Sequence, residues 1–154
     1  DKNVIFPMGY KTQEILKNSN ISLNKNIEII DPIGYLEFIH LLKKSNYVAT
    51  DSGTVVEEAC ILNVPSIQMR YSTERPEVYD VKASVKFDPT VDYTNIGDTI
   101  DEVSKLKRDW KNPFGEGNSS EVIVNDLIEL SNSDSFRRHM PSDYPFDTSR
   151  SFKE

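Results

Sequence analysis

The chain has 154 residues, 37% hydrophobic and 28% charged, and a net charge of −7. That size suits one domain with a respectable core, and the acidic balance argues against nucleic acid or an anionic membrane as the main partner. The single Cys60 excludes an internal disulfide, and no apolar run approaches a membrane span. No secretion signal is visible, so the cytoplasm is the default compartment. The chain begins at Asp1, directly before a strand, as expected of a fragment or a processed piece.

In chain order, Asn3-Val4-Ile5-Phe6-Pro7 reads as a strand, followed after a turn at Gly9 by a polar helix from Lys11 to Asn18. Asn26 to Ile30 is the next strand. A helix from Leu36 to Lys44 then places Phe38, Ile39, Leu41 and Leu42 on overlapping apolar faces. His40 sits between apolar neighbours with no second His or Cys at ligand spacing, so it reads as structural or exposed and no metal site is expected. Asn46 to Thr50 is short, apolar and β-branched, as a buried strand should be, and Pro65 to Met69 repeats the pattern. Between them, Asp51-Ser52-Gly53-Thr54 supplies turn and cap chemistry, and Val55 to Leu62 contains no helix breaker. Thr54 and Glu57 have the spacing of a capping box, with Asp51 or Ser52 as alternative N-caps. Cys60 reads as a small buried hydrophobe.

Further on, Ala83 to Phe87 alternates with period two as a strand, and Asn95 to Leu106 is amphipathic through Ile96, Ile100, Val103 and Leu106. Asn112 to Asn118 is a turn-rich loop. Ser119 or Ser120 can cap a last helix through Val122, Ile123, Leu127 and Leu130. Residues 131–154 are rich in Ser, Asp, Pro and Arg and read as an extended polar tail. Strands alternating with helices imply an α/β fold with a parallel sheet.

The chemistry concentrates between Asn46 and Pro76. A strand, a tight turn and a helix form half of a βαβ crossover, and the helix N-terminus offers unpaired N–H groups and a partial positive charge suited to phosphate. Gly53 lets the backbone approach closely, and the Ser52 and Thr54 hydroxyls add donors. Thr73-Glu74-Arg75-Pro76 follows the second strand, where α/β sheets place their ligand crevice, and Arg75 has the fork for a second phosphate oxygen. The plainer reading is a turn that only caps a helix. Glu57 and Glu58 are adjacent and point in different directions, so one can support the cap while the other faces the crevice. As a plain alternative, both are solvated.

The run TDSGTVVEEA, then LNVPSIQMR, then STERPE, resembles the C-terminal half of the non-hydrolysing UDP-N-acetylglucosamine 2-epimerases. The likeness covers about Asn3 to Leu130 and extends to NPFGEGN, close to that family's NPYGDGN. It implies a Rossmann-like parallel sheet with helices on both faces, forming the C-terminal domain of a GT-B-like two-domain enzyme. Residues 1–130 would be the UDP-binding domain and 131–154 the tail. By the resemblance, Ser52, Gly53, Thr54 and Arg75 hold phosphate, Glu58 holds the ribose hydroxyls, and Phe38 lies near the base. Tyr35 and Phe38 read equally as core residues of an amphipathic helix.

Two departures stand out. The family's Phe-Pro-x-His-Pro-Arg-Thr appears here as Phe6-Pro7-Met8-Gly9-Tyr10-Lys11-Thr12, so Gly9 replaces a histidine and Lys11 an arginine. No catalytic residue is assigned, because glycine neither shuttles a proton nor binds phosphate through a side chain. The family also carries a glycine before its next strand, where this chain reads Val81-Lys82-Ala83. The implied activity is epimerisation at C2 by elimination and re-addition of UDP, with no metal or nicotinamide cofactor. The implied partners are a UDP-sugar, an N-terminal domain or partner chain that completes the crevice, and a second copy of the chain. A glycosyltransferase donor domain and a non-catalytic UDP-sugar-binding subunit are the alternatives.

Overall fold

The computed structural model describes residues 3–91 and 93–133. Among the described residues there are five strands, each parallel to its neighbours. The first two, β1 (Val4–Pro7) and β2 (Ile27–Ile30), pair with Val4 opposite Ile27. The other three, β3 (Val48–Thr50), β4 (Ser66–Gln68) and β5 (Ser84–Lys86), form a second sheet in that order. The α/β class and the parallel run are as the sequence implies, but among the described residues the ladder is divided in two. The β1–β2 pair carries little core of its own: Val4, Ile5 and Phe6 are each 40% exposed or more, whereas the adjoining Met8 is buried.

Helix α1 (Tyr10–Lys17) follows β1, α2 (Tyr35–Lys44) follows β2, and α3 (Gly53–Ile61) joins β3 to β4. A one-turn helix, α4 (Glu77–Asp80), joins β4 to β5; the sequence reading assigned no element there. Helix α5 (Ile96–Ser104) follows β5. The residue register sorts the second sheet into two faces, since successive side chains alternate. Ile67 and Val85 pack with Phe87 and Val103 under α5. On the opposite face, Val48 joins Leu42, Ala59 and Val64, and α3 closes with α4 through Val56, Cys60, Val78 and Ala83. Helices therefore cover both faces of this sheet.

All three residues of β4 are buried, as befits the central strand. Its two polar members are satisfied: Ser66 and Ser84 share a buried hydrogen bond of 2.9 Å, and Gln68 reaches out of the sheet to the loop that follows. Cys60 is buried in α3, as read. Burial pushes its thiol up to about 11, while the Trp110 indole beside it pulls the other way. Lys82 has a φ of +57°, so the bend before β5 has the left-handed form that a glycine would favour.

Residues 115–154 form a separate unit, described to residue 133. Its helix α6 (Ser119–Ser131) starts from Asn118, and neither Ser119 nor Ser120 is its N-cap. Helix α6 exposes Val122, Ile123, Val124, Leu127, Ile128 and Leu130. The polar tail expected from the sequence lies outside the described residues beyond 133.

Candidate functional site

The site is built around the N-terminus of α3. Thr50, the last residue of β3, accepts a hydrogen bond from the Ser52 amide at 3.0 Å, which turns the chain sharply out of the sheet. Ser52 is the N-cap and its hydroxyl accepts from the Val55 amide at 3.4 Å. The Thr54–Glu57 capping box is therefore not formed, because Val55 and not Glu57 stands three residues after the cap. Gly53 opens the helix and is buried. A Cβ there would lie 2.6 Å from Oε1 of Glu74 and 3.8 Å from Nη1 of Arg70. The loop after β4 thus folds directly over the first turn of α3.

That loop is held from below. Buried Gln68 donates from Nε2 to the Thr73 hydroxyl at 2.7 Å and accepts from the Tyr79 hydroxyl. Thr73 in turn accepts from the Arg75 amide at 3.0 Å. A polar residue buried in an apolar strand needs its partners supplied, and here the partner is the loop that carries Arg75. Of the side chains above it, Arg70 pairs with Glu74 at 3.2 Å on the surface. Arg75 reaches across to α3, donating from Nε to Glu57 at 2.8 Å and from Nη1 to the Glu74 carbonyl at 3.2 Å. The contact with Glu57 raises the Arg75 pKa further above its ordinary value. The Glu74 carboxyl is held below its ordinary range, chiefly by its own backbone amide and then by the charge of Arg70.

The remaining candidates lie on or against the same helix. Glu58 interacts with the Tyr35 hydroxyl from α2, an interaction that raises the tyrosine pKa. Tyr35 is 64% exposed, so the reading of it as a core residue is corrected: at the first position of α2 it points away from the core. Phe38 is half-buried against the Leu42, Ala59 and Val64 cluster, and Thr54 is exposed. Ser52 thus caps α3, Gly53, Thr54 and Glu58 lie on it, Arg75 is tied to it by Glu57, and Phe38 packs beside it. Sequence reasoning missed the Glu57–Arg75 pair, the Gln68–Thr73 support and the Tyr35–Glu58 contact. Gln68 gave a signal, as an amide side chain in the interior of an apolar strand.

Gly9 starts α1 with φ −61° and ψ 149°, and a Cβ there would have nothing within 4 Å. A separate concavity of about 330 Å³ is lined by Tyr47, Pro65, Val103 and Arg108. It lies at the N-terminal ends of β3 and β4, away from the loops just described. Arg108 is engaged there by the Ser45 and Asn46 carbonyls. Among the described residues no cluster of His, Cys, Asp and Glu could hold a metal ion, and no helix is long and apolar enough to cross a membrane.

A family model described as UDP-N-acetylglucosamine 2-epimerase matches residues 1–128. The chain belongs to that family. The UDP-N-acetylglucosamine 2-epimerase of Methanococcus maripaludis is 43% identical over 129 residues, covering 81% of this chain and 35% of that protein. The enzyme of the same name from Methanocaldococcus jannaschii is 44% identical over 135 residues, covering 80% and 34%. The crystal structure of the M. jannaschii enzyme in complex with UDP-GlcNAc and UDP superposes with a TM-score of 0.73 at 43% identity, over 84% of this chain and 36% of that one. The chain therefore spans about a third of the length of the relatives it matches, and its α/β fold is shared with that third.

Proposed function

We propose that this chain is the UDP-binding part of a UDP-N-acetylglucosamine 2-epimerase-like isomerase. The reading rests on one observation above all: a buried glycine opens α3 beneath a loop whose arginine is already turned toward that helix. In this reading the first turn of α3, with Ser52, Gly53 and Thr54, receives the diphosphate through backbone N–H groups and hydroxyls. Arg75 engages a second phosphate oxygen, Glu58 accepts from the ribose hydroxyls, and Phe38 lies beside the base. Glu74 and Arg70 withdraw as the anion enters. Their pair is exposed on both sides, so separating it costs at most about 1 kcal/mol.

The reaction so served is redox-neutral. A base takes the C2 proton as UDP leaves C1, giving a C1=C2 alkene. A proton then returns to the other face of C2 and UDP re-adds at C1. The residues here hold UDP through both steps; the groups that move the C2 proton belong to an N-terminal domain or partner chain. The chain alone is therefore expected to bind UDP and not to interconvert the C2 epimers. Titration calorimetry with UDP set against uridine tests the binding, and equal affinities would remove the diphosphate role. Arg75→Ala should weaken UDP by roughly 1.5–3 kcal/mol, the range for a hydrogen bond to a charged group. Incubation with UDP-sugar in D₂O, followed by NMR at C2, tests the chemistry; deuterium entering C2 would place a proton-transfer group in this chain. Gly9 favours a second reading, a non-catalytic UDP-sugar-binding subunit, which the same isotope experiment separates once a partner chain is added.

A further inference from the structure

We infer that Glu57 is a positioning residue for Arg75, setting the direction of its guanidinium before a diphosphate arrives. The inference rests on the reading of Arg75 as a diphosphate contact and goes beyond it, because that reading gives Glu57 no role. The two residues are 18 apart in the chain and come from different elements, yet Nε and Oε2 meet at 2.8 Å. Each side chain is about a third exposed, too wet for the pair to matter much to folding. Glu57 is also too far into α3 to cap it.

Its geometric effect is specific. With Nε held by Glu57 and Nη1 by the Glu74 carbonyl, three of the five guanidinium N–H donors remain, both on Nη2 among them. The backbone beneath is fixed independently by Gln68 and Thr73. An arginine side chain otherwise samples many rotamers, and immobilising it on binding lowers affinity. A carboxylate this close to an incoming anion is unfavourable on charge alone. Pure electrostatics and positioning therefore predict opposite signs when Glu57 is removed.

The test is titration of this chain and its variants with UDP and with uridine. Glu57→Ala and Glu57→Asp should each weaken UDP about 2- to 12-fold, the cost of ordering one long side chain on binding, with uridine unchanged. Aspartate keeps the charge but is one methylene short of Nε. Glu57→Gln keeps the reach and an acceptor oxygen, so it should bind within about twofold of the parent. In an Arg75→Ala background, Glu57→Ala should cause no further loss. If Arg75→Ala weakens UDP while Glu57→Asp leaves it unchanged or tighter, the positioning role is overturned and the phosphate role of Arg75 stands. If Arg75→Ala itself has no effect, both fall. Should Glu57→Ala lose its fold by circular dichroism, the aspartate and glutamine pair carries the same contrast.

Discussion

Replacing Gly53 with alanine pits helix stability against ligand access at one atom. The added Cβ would sit 2.6 Å from Oε1 of Glu74, so that oxygen must retreat to the ordinary contact range beyond 3.4 Å. The obstacle is the end of a flexible carboxylate that is 55% exposed, and the exposed pair it forms with Arg70 contributes about 1 kcal/mol at most. Against this, alanine gains up to about 1 kcal/mol of helix propensity over glycine. Urea unfolding should therefore place the variant within about 1 kcal/mol of the parent, in either direction. UDP has no such latitude. A methyl group at the first helical position holds a phosphate away from the amides, and losing one charge-assisted hydrogen bond weakens binding by roughly 1.5–3 kcal/mol, or about 10- to 150-fold. Calorimetry on the folded variant gives the answer. UDP affinity within twofold of the parent would mean that the diphosphate does not approach α3 at Gly53.

Lys82→Gly should raise stability by about 0.5–1 kcal/mol, because a φ of +57° strains lysine and not glycine; in a chain of this size the melting temperature should rise by about 1–4 °C. Cys60, with its thiol pushed up to about 11 by burial, should resist a disulfide reagent at pH 8 until urea unfolds the chain. Its folded value lies above the unfolded one, so its contribution to stability is complete below about pH 9 and is lost as the pH rises through about 11. Glu74 has the opposite sign: its folded pKa lies below the ordinary 4.5, so its contribution is present above 4.5 and is lost on acidification through the folded value. Urea midpoints should accordingly fall less steeply below pH 4.5 in Glu74→Gln than in the parent.

The elements were legible where local chemistry decides them. Apolar strands bounded by turns, and helices with 3.6-residue periodicity, fell within one or two residues of β1 to β5, α1 to α3 and α5. The four-residue α4 was not legible, since Pro76 starts it and a single turn carries no period. The division of the sheet was also hidden, because strand sequences do not say which neighbour completes a ladder. In the candidate site, Ser52, Gly53 and Thr54 announced a cap and a close approach, the position of Arg75 after the second strand suggested a phosphate contact, and the resemblance supplied the roles of Glu58 and Phe38. Glu57 was assigned by spacing to a local cap, whereas its partner lies 18 residues away. Ion pairs between elements depend on how a loop folds back, which no local pattern encodes.

The two departures from the family pattern differ in physical kind. At Lys82 the chain adopts a left-handed bend and accepts the strain of a non-glycine residue there. At Gly9 the backbone is ordinary extended chain and a Cβ would meet nothing within 4 Å, so neither conformation nor crowding requires glycine there. A histidine would be accommodated at that position at little cost. The departure that the resemblance implies at Gly9 is therefore one of chemistry and not of fold, since the backbone there does not depend on glycine. The loop over α3 shows the reverse, with Gln68, Thr73, Glu57 and Arg75 linked in one hydrogen-bonded chain from the buried strand to the surface. A protein selected to grip UDP would need the second arrangement and not the first. That asymmetry supports the proposal that nucleotide binding and proton transfer are separable here.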